Sequence, residues 1–139
     1  MIEAKECAKM KPHLIGQYHR IESSVSVGFP DIVLSYNKDN ILIEAKVIHG
    51  KRDPYFYLEK SQKIWHLRHL EAGCSAKFIL FGPNYITILN GDVIVKGKME
   101  WIPYKKKWKV SIAQFYYVET KFPKPIDWII FNERLRSKE

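Results

Sequence analysis

Cysteine is scarce in this sequence, which contains only Cys7 and Cys74 among 139 residues. The two thiols form neither a Cys-x-x-Cys pair nor a regular framework, so the pattern argues against a disulfide-stabilised scaffold and against a zinc ribbon. Free thiols are typical of a reducing compartment, and we therefore expect a cytoplasmic protein.

Long apolar segments are also absent. No run approaches the ~18 residues that a membrane-spanning helix requires. The charged segment 1–11 has no apolar stretch of the kind found in a secretory signal peptide. We therefore expect neither a targeting segment here nor a membrane partner.

Two common catalytic motifs are missing as well. The sequence has no glycine-rich Walker loop, which argues against nucleotide hydrolysis. It also has no Gly-x-Ser-x-Gly elbow, which argues against a hydrolase of the Ser-His-Asp kind.

Acidic residues are fewer than basic ones: 15 Asp plus Glu stand against 23 Lys plus Arg, for a formal charge of +8. Such a balance favours a polyanionic partner, either nucleic acid or an anionic membrane. Hydrophobic residues make up 46% of the chain, which is enough for a packed core. The length predicts one domain over residues 1–139.

The most informative segment is 28–46, where two short apolar runs flank a polar turn at 37–40. This pattern predicts a β-hairpin. Side chains alternate along a strand, so Glu44 and Lys46 share one face. Asp31 lies about as far before the turn as Glu44 lies after it, so we expect their carboxylates to face each other. Facing carboxylates form a hard-oxygen site for Mg²⁺ or Mn²⁺.

The same segment resembles the PD-(D/E)XK nuclease superfamily. Pro30-Asp31 is followed by twelve residues and then by Glu44-Ala45-Lys46. The flanking residues are similar to small phage-type VRR-NUC members: Arg20-Ile21-Glu22 before Gly28, and Ser61-Gln62 with Trp65 after the motif. Holliday junction resolvase-like members share the same signature. The resemblance covers roughly residues 18–81.

The resemblance implies a restriction-endonuclease-like α/β fold. Its core would have the order αβββαβ, with a central mixed sheet flanked by helices. The motif core would span about 18–95, and 97–139 would be a C-terminal extension. The cytoplasm would be that of a bacterium or of a virus-infected host cell.

The resemblance also implies a divalent-metal-dependent DNA endonuclease that uses Mg²⁺ or Mn²⁺. The implied metal ligands are Asp31, Glu44, the backbone carbonyl of Ala45, and Glu22. Lys46 would orient the attacking water or stabilise charge on the phosphate, and Gln62 would position a water or a phosphate. The structural alternatives are a turn cap for Asp31 and a solvated strand face for Glu44 and Lys46.

DNA contacts are predicted in two basic segments, at Lys51, Arg52, Lys105, Lys106 and Lys107, because phosphates attract nearby cations. Tyr104 and Trp108 flank the second segment and could stack on bases. The alternative for this run is a solvated basic strand edge. His66 and His69 are three residues apart, but without further ligands we expect surface or half-buried histidines rather than a zinc site.

The remaining elements are predicted from periodicity and turn residues. We expect helices at 2–11, 14–21, 59–72 and 126–135, and strands at 77–81, 85–89 and 92–95. Residues 110–118 fit either a strand or a helix.

Two function classes remain open. The first is the metal-dependent endonuclease, with a structure-selective variant that would act on branched DNA as a homodimer. The alternative is a catalytically silent DNA-binding module or phage accessory protein with the same fold. The complete set of Asp31, Glu44 and Lys46 favours the enzyme.

Overall fold

The computed structural model describes residues 2–21, 28–115 and 120–137. Its helices are α1 (Ile2–Met10), α2 (Lys60–Glu71), α3 (Val93–Lys96) and α4 (Trp128–Arg136). Its strands are β1 (Gln17–Arg20), β2 (Ile32–Tyr36), β3 (Asp39–Val47), β4 (Tyr55–Glu59), β5 (Lys77–Phe81), β6 (Tyr85–Asn90), β7 (Met99–Ile102), β8 (Lys107–Ser111) and β9 (Thr120–Pro123).

A six-stranded mixed sheet in the order β1-β2-β3-β5-β6-β9 forms the centre of the structure. Strands β3 and β5 are parallel, and the other neighbouring pairs are antiparallel. Helix α2 lies in the connection between β3 and β5, as a parallel pair requires. The predicted α/β fold with a central mixed sheet flanked by helices is therefore confirmed, with β4 as an additional strand before α2.

The β2–β3 hairpin turns through two residues with positive φ, Asn37 at 49° and Lys38 at 69°. Two such residues define the tight turn that matches the twist of paired strands. The register places Ile32 opposite Ile43 and Tyr36 opposite Asp39. The hairpin is thereby fixed in the register that its apolar pattern predicts.

Apolar clusters cover both faces of the central sheet. On one face, Ile43 and Ala45 of β3 pack with residues of α1 and α4. On the other face, Phe78 and Leu80 of β5 pack with α2, α3 and a second sheet of order β4-β8-β7. The segment 97–139 contributes to both sheets, through β9 at the edge of the central sheet and through β7 and β8.

Two sequence expectations about secondary structure are wrong. Residues 14–21 are not a helix, since Gln17–Arg20 form β1, a largely exposed edge strand paired with β2. Residues 92–95 are not a strand, since Val93–Lys96 form α3. Val93 and Ile94 are consecutive and both buried, which a strand with one core face does not allow.

No helix within the described ranges is long and apolar enough to cross a membrane.

Candidate active site

The hairpin brings Asp31 next to Glu44. The last ladder pair of β2 and β3 is Ile32 with Ile43, and Asp31 and Glu44 are the next residues outward. Oδ2 of Asp31 accepts a hydrogen bond from the backbone N–H of Ala45 at 3.0 Å. The N–H and C=O of one extended residue point towards the same neighbouring strand, so the carbonyl of Ala45 faces the side of Asp31.

Glu44 is completely buried, with 0% of its surface exposed. Burial raises the pKa of its carboxyl well above the usual range, and a hydrogen bond with Asp31 raises it further. Oε2 accepts a hydrogen bond from Nε2 of Gln62 at 3.4 Å. Burial and the neighbouring Asp31 therefore both disfavour the charged form of the Glu44 carboxyl.

His66 covers the other oxygen of Glu44. Its Nε2 lies 3.3 Å from Oε1 of Glu44. Burial, with smaller effects of His69 and Lys46, lowers the pKa of His66 to about 4. The lowered pKa disfavours the charged imidazole that an ion pair would need, so the contact is a hydrogen bond between His66 and Glu44 whose donor depends on the imidazole tautomer.

The expectation of a surface or half-buried histidine is wrong for His66, which is only 1% exposed. The helical spacing of Gln62 and His66, four residues apart, places both on the face of α2 that meets Glu44. The spacing of Gln62 and His66 is visible in the sequence, but the sequence does not show which strand this face of α2 packs against. His69 is half-buried and stacks on Trp65 at 4.5 Å between ring centroids.

Gln62 connects the ammonium group of Lys46 to the start of α2. Oε1 of Gln62 accepts hydrogen bonds from Nζ of Lys46 at 2.8 Å and from the backbone N–H of Glu59 at 2.9 Å. The Glu59 side chain in turn accepts from the backbone of Gln62, which completes a capping box. Gln62 thus holds Glu44, Lys46 and the helix terminus in one arrangement.

The loop that carries Asp31 is fixed against the first turn of α2. Gly28 has φ of +82°, and a Cβ there would lie 2.3 Å from the backbone oxygen of Ser61. Phe29 packs edge-on against Trp65, with 5.3 Å between centroids. Only glycine allows both this backbone conformation and this approach.

Glu3 of α1 is a site residue that sequence reasoning missed. Burial raises its pKa, and the charge of Asp31 raises it further, while Lys46 and Arg20 lower it. Nη2 of Arg20 lies 3.8 Å from Oε1 of Glu3. Glu3 and Glu6 lie on the same helix, and no local sequence pattern shows which of them lies near the site. That depends on how α1 packs on β3. The predicted ligand Glu22 lies outside the described residues.

A cavity of about 290 Å³ opens beside Lys46. Its lining includes Glu3, Lys46, His49, Tyr57, Glu59 and Lys107. A larger cavity of about 520 Å³ lies near Tyr36 and Arg136, at the other end of the hairpin, and contains none of the candidate catalytic residues. Of the candidate catalytic residues, Lys46 is the one that lines the smaller cavity.

The residues predicted to contact DNA lie in two places. Lys107 lines the cavity beside Lys46, while Lys105 and Lys106 form the exposed turn between β7 and β8. Lys51 and Arg52 are exposed in the loop between β3 and β4. The basic turn and the candidate site thus share one side of the molecule.

A divalent cation fits the oxygen donors at Asp31, Glu44 and the carbonyl of Ala45. Two adjacent carboxyls, one fully buried, cannot both ionise readily without a cation. Mg²⁺ takes one or two carboxylates together with waters. The described parts of the chain hold no group of three or more His, Cys, Asp or Glu side chains placed to bind a metal. Carboxyl and carbonyl oxygens are hard donors, which Mg²⁺ and Mn²⁺ prefer.

The chain is similar to a solved structure, but it matches no sequence family. No family model and no curated protein matches the chain. Among solved structures, the chain is similar to Hjc, a Holliday junction resolvase from the archaeal hyperthermophile Archaeoglobus fulgidus. The TM-score is 0.49 at 19% identity, over 81% of this chain and 85% of that chain.

Proposed function

We propose that this protein is a divalent-metal-dependent DNA endonuclease that hydrolyses phosphodiester bonds. The observation that carries the proposal is the buried carboxyl of Glu44 beside Asp31, with Lys46 two residues further along the same strand. The resemblance of these residues to the PD-(D/E)XK signature supports the same chemistry.

Asp31, Glu44 and the carbonyl of Ala45 are the residues that would hold Mg²⁺ or Mn²⁺. A bound divalent ion supplies an acidified water and neutralises charge on the phosphate. The hydrogen bond between His66 and Glu44 fixes the orientation of the Glu44 carboxyl. Burial and the charge of Asp31 raise the pKa of Glu3, so Glu3 is a further acidic side chain near the site, while Glu22 stays a predicted ligand.

Lys46 carries the positive charge of the site. Its Nζ donates a hydrogen bond to Oε1 of Gln62 at 2.8 Å, and Lys46 lines the cavity that a phosphate would enter. A flexible point charge with several donors suits both tasks at this position, orienting the attacking water and neutralising phosphate oxygens.

Nucleic acid is the substrate that best fits the charge of the molecule. The formal charge is +8, and the basic turn with Lys105 and Lys107 adjoins the cavity of Lys46. We assign Lys51 and Arg52 to contacts with the phosphate backbone. Selectivity for branched DNA, and the homodimer that paired cutting would need, stay predictions from the sequence resemblance.

A cleavage assay tests the proposal. Labelled linear duplex, single-stranded, flap and four-way-junction DNA would be incubated with Mg²⁺, with Mn²⁺ and with EDTA. The Glu44→Ala variant and a control, Glu71→Ala in the exposed last turn of α2, would run in parallel. We expect metal-dependent cutting that is lost in Glu44→Ala and kept in Glu71→Ala.

The assay also separates the alternatives. Preferential cutting of the junction would support the resolvase-like variant. DNA that is bound but never cut, under any metal condition, would overturn the proposed enzyme and support the catalytically silent DNA-binding module.

A further inference from the structure

The second sheet presents one face that is both aromatic and basic. In β4, Phe56 and Leu58 are fully buried, while Tyr55 and Tyr57 point to the opposite, partly exposed side. The β4–β8 register places Lys109 opposite Tyr57. We call this surface the β4–β8 face, which comprises His49, Tyr55, Tyr57, Lys105, Lys107 and Lys109.

The rings of this face contact one another rather than the core. The centroids of Tyr55 and Tyr57 are 5.3 Å apart, and His49 lies 5.6 Å from Tyr55 and 5.5 Å from Tyr57. None of these three rings belongs to either buried apolar cluster among the described residues. Packing of the core therefore does not account for them.

Lysine ammonium groups cover the outer sides of the tyrosine rings. Nζ of Lys109 lies 4.4 Å from the centroid of Tyr55, and Nζ of Lys105 lies 5.3 Å from that of Tyr57. These are cation–π distances, and the contacts are weak at exposed positions. The lysines can therefore turn from the rings to an incoming phosphate.

Trp108 is not part of this face. It lies on the other side of β8, where Trp101 packs against it at 5.2 Å and Nζ of Lys63 lies 3.7 Å from its ring centroid. The predicted stacking of Trp108 on bases would therefore take place on the opposite side of β8 from the β4–β8 face.

The β4–β8 face is continuous with the candidate active site. Tyr57, His49 and Lys107 line the same cavity of about 290 Å³ as Lys46 and Glu3. A strand that crosses this face would pass directly to the proposed reaction centre. Aromatic rings cannot stack on the bases of an intact duplex without unstacking them, because those bases are already stacked inside the helix. They do bind unpaired bases, because every base offers a flat face for stacking.

We infer that the β4–β8 face binds the bases of an unpaired DNA strand, so that the substrate carries a single-stranded segment next to the scissile phosphate. The inference rests on the proposed endonuclease function and narrows its substrate. Tyr55 and Tyr57 stack on bases, and Lys105, Lys107 and Lys109 hold the adjoining phosphates.

Binding measured without cutting tests the inference. Fluorescence anisotropy in EDTA would compare a labelled single strand, a blunt duplex of the same sequence, and that duplex with a single-stranded extension. The variants are Tyr57→Ala and Tyr57→Phe. The control is Tyr36→Ala, because Tyr36 is also an exposed tyrosine, with the Arg136 guanidinium carbon 3.9 Å from its ring centroid, at the far end of β2.

We expect the unmodified protein to bind the single strand and the extended duplex more tightly than the blunt duplex. Tyr57→Ala should weaken binding of the single strand by roughly five- to 150-fold. It should change affinity for the blunt duplex by less than about twofold. Tyr57→Phe keeps the ring and should bind like the unmodified protein, and so should Tyr36→Ala.

The inference would be overturned if Tyr57→Ala lost equal affinity for single-stranded and duplex DNA, or if it lost no affinity for either. Cleavage is measured separately with Mg²⁺. Cutting without preference for unpaired DNA would overturn this inference and leave the proposed nuclease intact. If binding prefers unpaired DNA in a way that depends on Tyr57, but no DNA is cut, base binding by the β4–β8 face is supported and the proposed nuclease function is overturned.

Discussion

At the scale of single residues, Glu44 is the most informative side chain of the chain. A glutamate with 0% exposure is rare in proteins unless it is paired or functional. Here it is surrounded by Asp31, Gln62 and His66, and its pKa is raised chiefly by burial. A carboxyl whose pKa is raised by burial and by a neighbouring carboxyl is typical of functional sites.

Replacement of Lys46 by alanine separates catalysis from folding. Lys46 lines the cavity, and its Nζ has Gln62 as a hydrogen-bond partner. Lys46→Ala should therefore change the free energy of unfolding by less than about 1 kcal/mol. The rate of DNA cleavage should fall on the order of 10²-fold or more, as for loss of a charge-stabilising group.

Urea unfolding and single-turnover cleavage would measure the two effects on Lys46→Ala. Lys5→Ala, an exposed lysine on α1, is the matched control and should retain full activity. Full activity of Lys46→Ala would remove Lys46 from the proposed mechanism.

At the scale of elements, the first turn of α2 organises the site. It holds Gln62 against both Glu44 and Lys46, and it receives the loop that carries Asp31 through the close approach of Gly28. Two predictions concern this turn.

The first prediction concerns the amide of Gln62. Gln62→Glu keeps an oxygen acceptor for Lys46 and for the helix cap, since glutamate also completes a capping box. It removes the N–H donor that faces Glu44 and adds negative charge there. We expect cleavage to fall about 10- to 100-fold, as for other residues that orient metal ligands.

Gln62→Ala provides the comparison, because it should lower helix stability as well, by about 1 kcal/mol. Circular dichroism during urea unfolding would report stability, and cleavage would report function. Unchanged cleavage in Gln62→Glu would show that the amide does not position Glu44.

The second prediction compares two glycines with similar backbone conformation. Gly28 and Gly73 have φ of +82° and +84°, but a Cβ at Gly73 would meet nothing within 4 Å. Gly73→Ala should lower the free energy of unfolding by about 1 kcal/mol, because alanine disfavours the left-handed backbone conformation. Gly28→Ala should lower the free energy of unfolding by more than this. It should also reduce DNA cleavage, because the added Cβ pushes the Asp31 loop away from Ser61.

Denaturant unfolding of both variants would measure the difference in the free energy of unfolding. Equal destabilisation, with cleavage retained in Gly28→Ala, would contradict the role of this close approach.

Much of the central sheet follows from local sequence. The hairpin turn, the alternation around Glu44 and the helix at 59–72, observed at Lys60–Glu71, all have clear local signals. Strand β1 lacks such a signal, because it is polar and exposed and is ordered by pairing with β2. Local pattern also misassigned 92–95, where two consecutive buried residues form a helical turn.

At the scale of the whole molecule, the site depends on pieces that are distant in sequence. The second sheet joins 55–59 with 107–111, and α1 brings Glu3 towards Asp31 and Lys46. Such pairings leave no local signature in one sequence, which is why Glu3, the burial of His66 and the β4–β8 face were not predicted. Asp31, Glu44 and Lys46 were brought together correctly in the expected hairpin because they are close in the chain.

The measurement that tests the central claim most directly is calorimetric titration of Mn²⁺ into the unmodified protein, Glu44→Gln and Glu71→Gln. The pair of Asp31 and the buried Glu44 predicts Mn²⁺ binding to the unmodified protein and to the exposed control Glu71→Gln. In Glu44→Gln, an amide replaces the carboxyl with little change in shape, and binding should be lost. Equal Mn²⁺ affinity in all three proteins, or no binding to the unmodified one, would contradict a metal site at Asp31 and Glu44.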